Sequence, residues 1–230
     1  MTTTPFKIGG RDSRLARIQT RSVIERLSGL LPAIEFEESA LSSPGDRDRD
    51  TDLRTSPDDF FTRDLDEAVL DSTLDLAVHS AKDLPESLPA GLDWVWLPWP
   101  EDRRDALVMP VGKPLSELPS APRIGVSSER RAEYCRRRFP NAELVPIRGN
   151  VDDRIRQLDD GHFDLIVTAA AALDRLGLGH RAAERIQLPD LPTPDGQGTL
   201  ALTFRADDHR ALRLRSLFVK SVAFVGAGVG

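Results

Sequence analysis

The sequence is short of thiols, of lysine and of long apolar runs, and each shortage excludes something. Cys135 is the one cysteine in 230 residues, so no intrachain disulfide can form. A single thiol without metal-ligand spacing fits a reducing cytoplasm. It sits in Arg130-Arg131-Ala132-Glu133-Tyr134-Cys135-Arg136, which reads as a helix. Basic neighbours lower a thiol pKa, but the first reading is a structural cysteine. No stretch approaches the roughly 20 apolar residues of a membrane span, and residues 1–6 lack the apolar core of a signal peptide. Residues 1–215 contain no P-loop, no full dinucleotide fingerprint and no metal-ligand spacing. The four histidines are scattered, and no Ser-His-Asp arrangement can be inferred from them. A net charge of −6 argues against general nucleic-acid binding. The expectation is a cytoplasmic protein with no metal, no membrane and no nucleic-acid partner.

What is present is arginine. Only four of the 31 basic residues are lysine, and arginine is the better side chain for bidentate recognition of carboxylate or phosphate. A genome that spells basic residues as arginine is the competing explanation for those on the surface. With 30% charged and 40% hydrophobic residues, the composition is that of a soluble globular protein. Its length allows one large domain or two smaller ones.

Strand and helix patterns alternate. Residues 6–8 read as a strand, and 14–31 as a helix capped by Ser13 with Leu15, Ile18, Val23, Leu27 and Leu30 on its buried face. Residues 34–38 read as a strand, and 42–59 as a polar loop that buries too little apolar surface to offset its ordering entropy. A lid and a plain insertion are both open for that loop. A helix over 60–70 and strands over 74–78 and 92–97 follow. Then come strands over 106–109, 123–126, 143–146 and 165–168, alternating with helices over 129–139, 151–159 and 169–176. Residues 200–204 form a late strand. This alternation predicts an α/β fold with parallel sheets and helices on both faces. We expect two Rossmann-like, periplasmic-binding-protein-like lobes with a cleft between them. The first comprises 1–98 plus 195–220, the second 99–194, and 221–230 form a tail. Clefts of this kind commonly hold small molecules.

The chemistry concentrates after strands. Val78-His79-Ser80-Ala81-Lys82-Asp83-Leu84-Pro85 follows an apolar run, and ligands in α/β folds sit beyond the carboxyl ends of strands. Asp83 beside Lys82 reads either as a surface ion pair of little energetic worth or as a group that stabilises a developing cation. Gly125-Val126-Ser127-Ser128-Glu129-Arg130-Arg131 is a strand, a hydroxyl-bearing turn and a helix start. Such a start can hold an anion, although Ser127 and Ser128 serve equally as caps. Arg148-Gly149-Asn150 repeats the design ahead of Arg154, with Gly149 permitting positive φ or close backbone approach. Arg175, on spacing alone, is a helix C-terminal charge.

Taken together and in order, these motifs resemble the porphobilinogen deaminase (hydroxymethylbilane synthase) family. The matching segments are Arg11-Asp12-Ser13-Arg14-Leu15-Ala16, residues 78–85, Glu101-Asp102-Arg103-Arg104-Asp105-Ala106, residues 125–131, 144–154 and 158–178, and Gly196-Gln197-Gly198. They span about residues 6–210. The resemblance implies condensation of porphobilinogen with loss of ammonia, in tetrapyrrole and heme biosynthesis. Asp83 would be the catalytic aspartate at the pyrrole nitrogens and the azafulvene cation. Arg11, Arg130, Arg131, Arg148, Arg154 and Arg175 would bind acetate and propionate groups. Ser13, Ser80, Lys82, Ser127, Ser128 and Gln197 would complete the substrate site.

The chain departs from the family pattern in three places. The family's dipyrromethane cofactor is held by a cysteine of a third, C-terminal domain, and no cysteine follows Cys135. The resemblance therefore implies the cofactor without a covalent attachment residue and without the third domain. The family's Gly-Lys-Gly-Leu-Phe segment is replaced by Pro57-Asp58-Asp59-Phe60-Phe61. Residues 222–230, VAFVGAGVG, read as a strand and glycine turn. They resemble the opening of S-adenosylmethionine-using uroporphyrinogen-III C-methyltransferases, which implies the front piece of a fused tetrapyrrole enzyme. The alternatives are a non-catalytic module binding a pyrrole or linear tetrapyrrole for a partner enzyme, and a two-lobed ligand receptor.

Overall fold

A computed structural model of the protein describes residues 4–41 and 61–222. The expected polar loop over 42–59, the first residue of the helix expected over 60–70, and the tail 223–230 lie outside them. The described chain forms two compact units, one from 4–41, 61–100 and 199–222, the other from 101–198.

The first unit is built on strands β1 (Phe6–Arg11), β2 (Phe36–Leu41), β3 (Leu76–Ser80), β4 (Leu92–Trp96) and β10 (Leu200–Arg205), with helices α1 (Arg14–Leu30), α2 (Arg63–Leu70) and α6 (His209–Val222). Its sheet order is β2-β1-β3-β10-β4. The second unit holds β5 (Asp105–Val108), β6 (Arg123–Val126), β7 (Glu143–Pro146), β8 (Leu165–Ala169) and β9 (Ala182–Arg185). Its helices are α3 (Glu129–Arg138), α4 (Val151–Asp159) and α5 (Ala170–Arg175), and its sheet order is β7-β6-β8-β5-β9.

The sheets are mixed, which corrects the expectation of parallel ones. β1 runs parallel to β2 and β3, and β6 runs parallel to β7 and β8. β10 is antiparallel to β3 and β4, and β5 is antiparallel to β8 and β9. Helix crossovers impose parallel pairing on the strands they join. β5 is instead the first strand of its sheet, and β10 re-enters the first sheet from the second unit. Neither is joined to the strand before it by a helix crossover within its own sheet, so alternation does not set their direction.

Helix α1 buries Val23 and Leu27 as expected, but its inward face is otherwise shifted. Ser13 Oγ caps it, accepting from the Ala16 amide at 3.3 Å, and the buried residues are Ala16, Gln19, Thr20, Val23 and Leu27. Leu30, expected inside, is 56% exposed. The cause is close packing on β1: a Cβ added at Gly10 would stand 2.4 Å from Thr20 Oγ1. Only small residues fit between helix and strand there, and Ala16 and Thr20 displace the larger side chains to either side.

The first unit's core gathers Ile8, Val23, Leu27, Leu76, Leu202, Phe204, Leu214 and Phe218. Full burial of a side chain such as Phe204 contributes about 2–3 kcal/mol. The second unit has a core on each face of its sheet. Leu107, Ile124, Val126, Leu165 and Cys135 lie in one, and Ala106, Val108, Ile155, Leu158 and Ile166 in the other. The alternation of Ala106, Leu107 and Val108 between faces is the period-2 signature of a strand covered on both sides. Helix α6 was not expected. The Asp208 carboxylate accepts from the Arg210 and Ala211 amides at 2.8 and 3.4 Å, and Ala211, Leu214 and Phe218 are buried. Val222, read as the start of a strand, is its last residue.

Candidate functional site

In the first unit the predicted residues cluster at the carboxyl ends of β1 and β3. Arg11 closes β1 and lies over the Phe61 ring, 4.4 Å from its centroid. Ser13 is committed to capping α1. Ser80, the last residue of β3, accepts from Gln19 Nε2 at 3.1 Å. Behind it, His79 Nε2 and Thr203 Oγ1 lie 2.9 Å apart. Burial, and secondarily the positive Arg11, lower the His79 pKa to about 4.

Lys82 and Asp83 stand in the single 3-10 turn Ala81–Asp83 that follows directly. Backbone bonds pin this turn: Ala81 N donates to Thr199 O at 3.0 Å, and Leu84 N to Ala81 O at 3.3 Å. Asp83 is half-buried. β3 thus delivers a carboxylate at its end on backbone fixed to β10, with part of the side chain open to solvent.

In the second unit the site is built around the start of α3. Ser128 caps the helix, its Oγ accepting from the Arg131 amide at 3.4 Å. Ser127 Oγ accepts from two guanidiniums, Arg131 Nη1 at 3.1 Å and Arg154 Nη1 at 3.0 Å. Gly149 has φ +93°. It turns the chain so that its carbonyl accepts from Arg154 Nε at 2.8 Å. The next residue, Asn150, opens α4 with a capping box to Asp153. The Arg148 carbonyl accepts from Gln157 Nε2 at 3.0 Å, which fixes the backbone from which its half-buried side chain projects.

Several predicted residues are engaged inside this unit. Arg131 is 6% exposed. Gln197 is 4% exposed and donates to the Arg103 carbonyl at 2.7 Å and to Asp105 Oδ1 at 3.2 Å. The Arg175 side chain, 8% exposed, bonds Gly198 O at 2.7 Å and pairs with Glu101 at 3.2 Å. It ties the segment before β5 to the segment before β10.

The residue that sequence reasoning missed is Asp105. It is fully buried at the start of β5, with Arg130 at 2.5 Å on Oδ2 and Arg131 at 2.7 Å on Oδ1. Burial pushes its carboxyl up, but the two guanidiniums outweigh this and hold it below the usual carboxylate range. The available signal was an aspartate directly abutting the apolar run Ala106-Leu107-Val108. A second network lies beside it. Arg185 bridges Asp102 and Asp174, each at 2.6 Å, and Arg104 also pairs with Asp102 at 2.8 Å.

Cys135 is buried among Leu107, Ile124 and Leu165. Desolvation pushes its thiol up to about 12, so the basic neighbours do not activate it. Among the described residues no cluster of histidine, cysteine, aspartate or glutamate could hold a metal ion, and no helix is long and apolar enough to cross a membrane.

This chain is similar to two kinds of known protein. A porphobilinogen deaminase of Roseiflexus sp. is 43% identical over 209 residues, covering 90% of this chain and 69% of that protein. One of Syntrophobacter fumaroxidans is 37% identical over 215 residues, covering 93% and 70%. Among solved structures, the probable amino-acid ABC transporter extracellular-binding protein ytmK of Bacillus subtilis superposes with a TM-score of 0.58 at 8% identity, over 97% of this chain and 94% of that one. A periplasmic substrate-binding protein of an ABC transporter from Coxiella burnetii does so with a TM-score of 0.55 at 15% identity, over 93% and 90%. At such identities the likeness is one of fold, and it is the α/β binding-protein fold expected from the sequence. The family described as porphobilinogen deaminase, dipyromethane cofactor binding domain, matches residues 6–213, and the chain belongs to the porphobilinogen deaminase family.

Proposed function

We propose that this chain condenses porphobilinogen units with loss of ammonia, as a hydroxymethylbilane synthase of tetrapyrrole and heme biosynthesis, with Asp83 at the reacting pyrrole. The observation that carries this reading is Asp83, half-buried in a turn pinned to the end of a buried strand. In the reaction the aminomethyl C–N bond breaks and ammonia leaves. The ring nitrogen supplies the electron pair, leaving an azafulvene cation. The free α-carbon of the next pyrrole attacks the exocyclic carbon, a C–C bond forms, and that ring then loses its α-proton. A fixed carboxylate beside the ring nitrogen stabilises the cation most where its charge is greatest. Each pyrrole brings two carboxylates, and Arg11, Arg130, Arg148 and Arg154 with Ser127 and Ser128 are suited to them.

The dipyrromethane group of this family, when bound, supplies the pyrrole on which the chain grows. The same arginines and serines would hold its acidic side chains. A thioether at Cys135 does not fit, because that sulfur is buried in a core and kept protonated. The buried single thiol is also the support for a cytoplasmic location.

The test is to incubate the purified chain with porphobilinogen and measure ammonia and hydroxymethylbilane. Both are expected from the unmodified protein. Asp83→Asn is expected to abolish both while still binding porphobilinogen in a calorimeter. Binding by the unmodified chain without ammonia release would overturn the reading.

A further inference from the structure

We infer that Asp105 and Arg131 form a buried positioning pair that orients the substrate-binding donors of the second unit, an inference that rests on the porphobilinogen-binding reading above. Asp105 has no exposed surface, and the Arg131 side chain is 7% exposed, so neither offers much to a ligand. Arg130, at 28%, does. The bonds run outward from the carboxylate. Asp105 Oδ2 takes Arg130 Nη2, and Oδ1 takes Arg131 Nη2 together with Gln197 Nε2. Arg131 then passes the constraint on, through Nη1 to Ser127 Oγ, which also receives Arg154. One carboxylate therefore governs groups from the start of α3, from α4 and from the segment before β10.

The charge balance explains why a carboxylate stands there. Guanidiniums gathered at one helix start repel one another, and a buried anion offsets that repulsion. Its charge-assisted bonds also fix each planar fork in one orientation. Cations already fixed in place bind an incoming carboxylate without first being ordered. Asp105 itself would repel a carboxylate, so it acts only through its partners. Gln197 acts in the same way, from behind the donors.

The experiment is calorimetric titration of porphobilinogen into the unmodified chain, Asp105→Asn, Arg130→Lys and the double variant, with Arg11→Lys of the first unit as the reference. Asp105→Asn is expected to weaken binding roughly tenfold, the equivalent of about one charge-assisted hydrogen bond, at unchanged stoichiometry. Its effect should be non-additive with Arg130→Lys and additive with Arg11→Lys. A merely structural role would lower the melting temperature or the fraction of competent sites and leave the dissociation constant unchanged, and that result overturns the inference, as does additivity with Arg130→Lys. If Asp105→Asn does not fold, nitrogen NMR of the unmodified chain decides. Separate, slowly exchanging Nη signals for Arg130 and Arg131 are expected, and averaged signals for both overturn the pinning. No binding by the unmodified chain removes the proposed function and this inference together. Normal binding with an unaffected variant removes only the inference.

Discussion

His79 on β3 and Thr203 on β10 share a hydrogen bond across an antiparallel pair, with Nε2 and Oγ1 2.9 Å apart and His79 only 5% exposed. The imidazole is neutral in the folded protein, because burial and Arg11 lower its pKa from 6.5 to about 4. An unfolded chain binds a proton at this histidine below about pH 6.5, while the folded chain does not until about pH 4. Stability from this residue is therefore present above pH 6.5 and is lost as pH falls toward 4. The full loss is of order 3 kcal/mol. Urea unfolding at pH 7 and at pH 4.5 should show a smaller difference for His79→Gln than for the unmodified protein. Equal differences for the two proteins would contradict this account.

Gly149 holds φ +93°, and a Cβ there would stand 2.8 Å from the Asp153 Cβ. Gly149→Ala both strains the turn and pushes on the residue whose carboxylate accepts from the Asn150 amide. A loss of about 1–3 kcal/mol is expected, read as a lower urea midpoint. The Arg154 bond to the Gly149 carbonyl should weaken with it, and porphobilinogen affinity should fall. A midpoint within error of the unmodified protein would contradict the strain argument.

Cys135 should resist iodoacetamide at pH 8 in the folded protein and react readily once guanidinium unfolds the chain. The contrast should be roughly a hundredfold or more in rate, since the thiolate is the nucleophile and burial suppresses it. Intact mass after each treatment reads the result. Fast alkylation of the native protein would show that the thiol is not held in the core.

Arg185→Met should destabilise the second unit by about 0.5–1 kcal/mol, because it leaves Asp174 without its bidentate partner and removes one of two arginines from Asp102, in a partly exposed network. Adding Asp174→Asn should recover part of that loss. The melting temperature tests this, and no shift in the single variant would mean the network carries little energy.

The repeated strand-turn-helix plan was plain in the residues. The apolar runs at 123–126 and 143–146 and the helix pattern at 151–159 are β6, β7 and α4, because short buried strands between polar turns carry their own bounds. Helix α6 was not plain, since arginines at 210, 213 and 215 interrupt Ala211, Leu214 and Phe218 and draw the eye to the apolar stretch after it. Strand β9, four residues at a sheet edge, has no apolar run to announce it. At the site, Ser127 and Arg148 stand just past strand ends, and Arg154 near the start of α4, where sequence order places them. Asp105 was hidden in the run Glu101-Asp102-Arg103-Arg104-Asp105, which looks like solvated charge. Only the placement of β5 between β8 and β9 removes it from water.

The position of β10 has a consequence for how the protein is made. It lies between β3 and β4, so until residue 205 has been synthesised the first sheet is a three-strand fragment and a separate β4. Among the described residues the second unit is one continuous stretch, 101–198, and every strand of it precedes β10 in the chain. A nascent chain can therefore complete the later-coded unit while the earlier one still waits for its keystone strand. Early termination before that point would leave β3 and β4 with unpaired edges, the kind of surface on which chains aggregate.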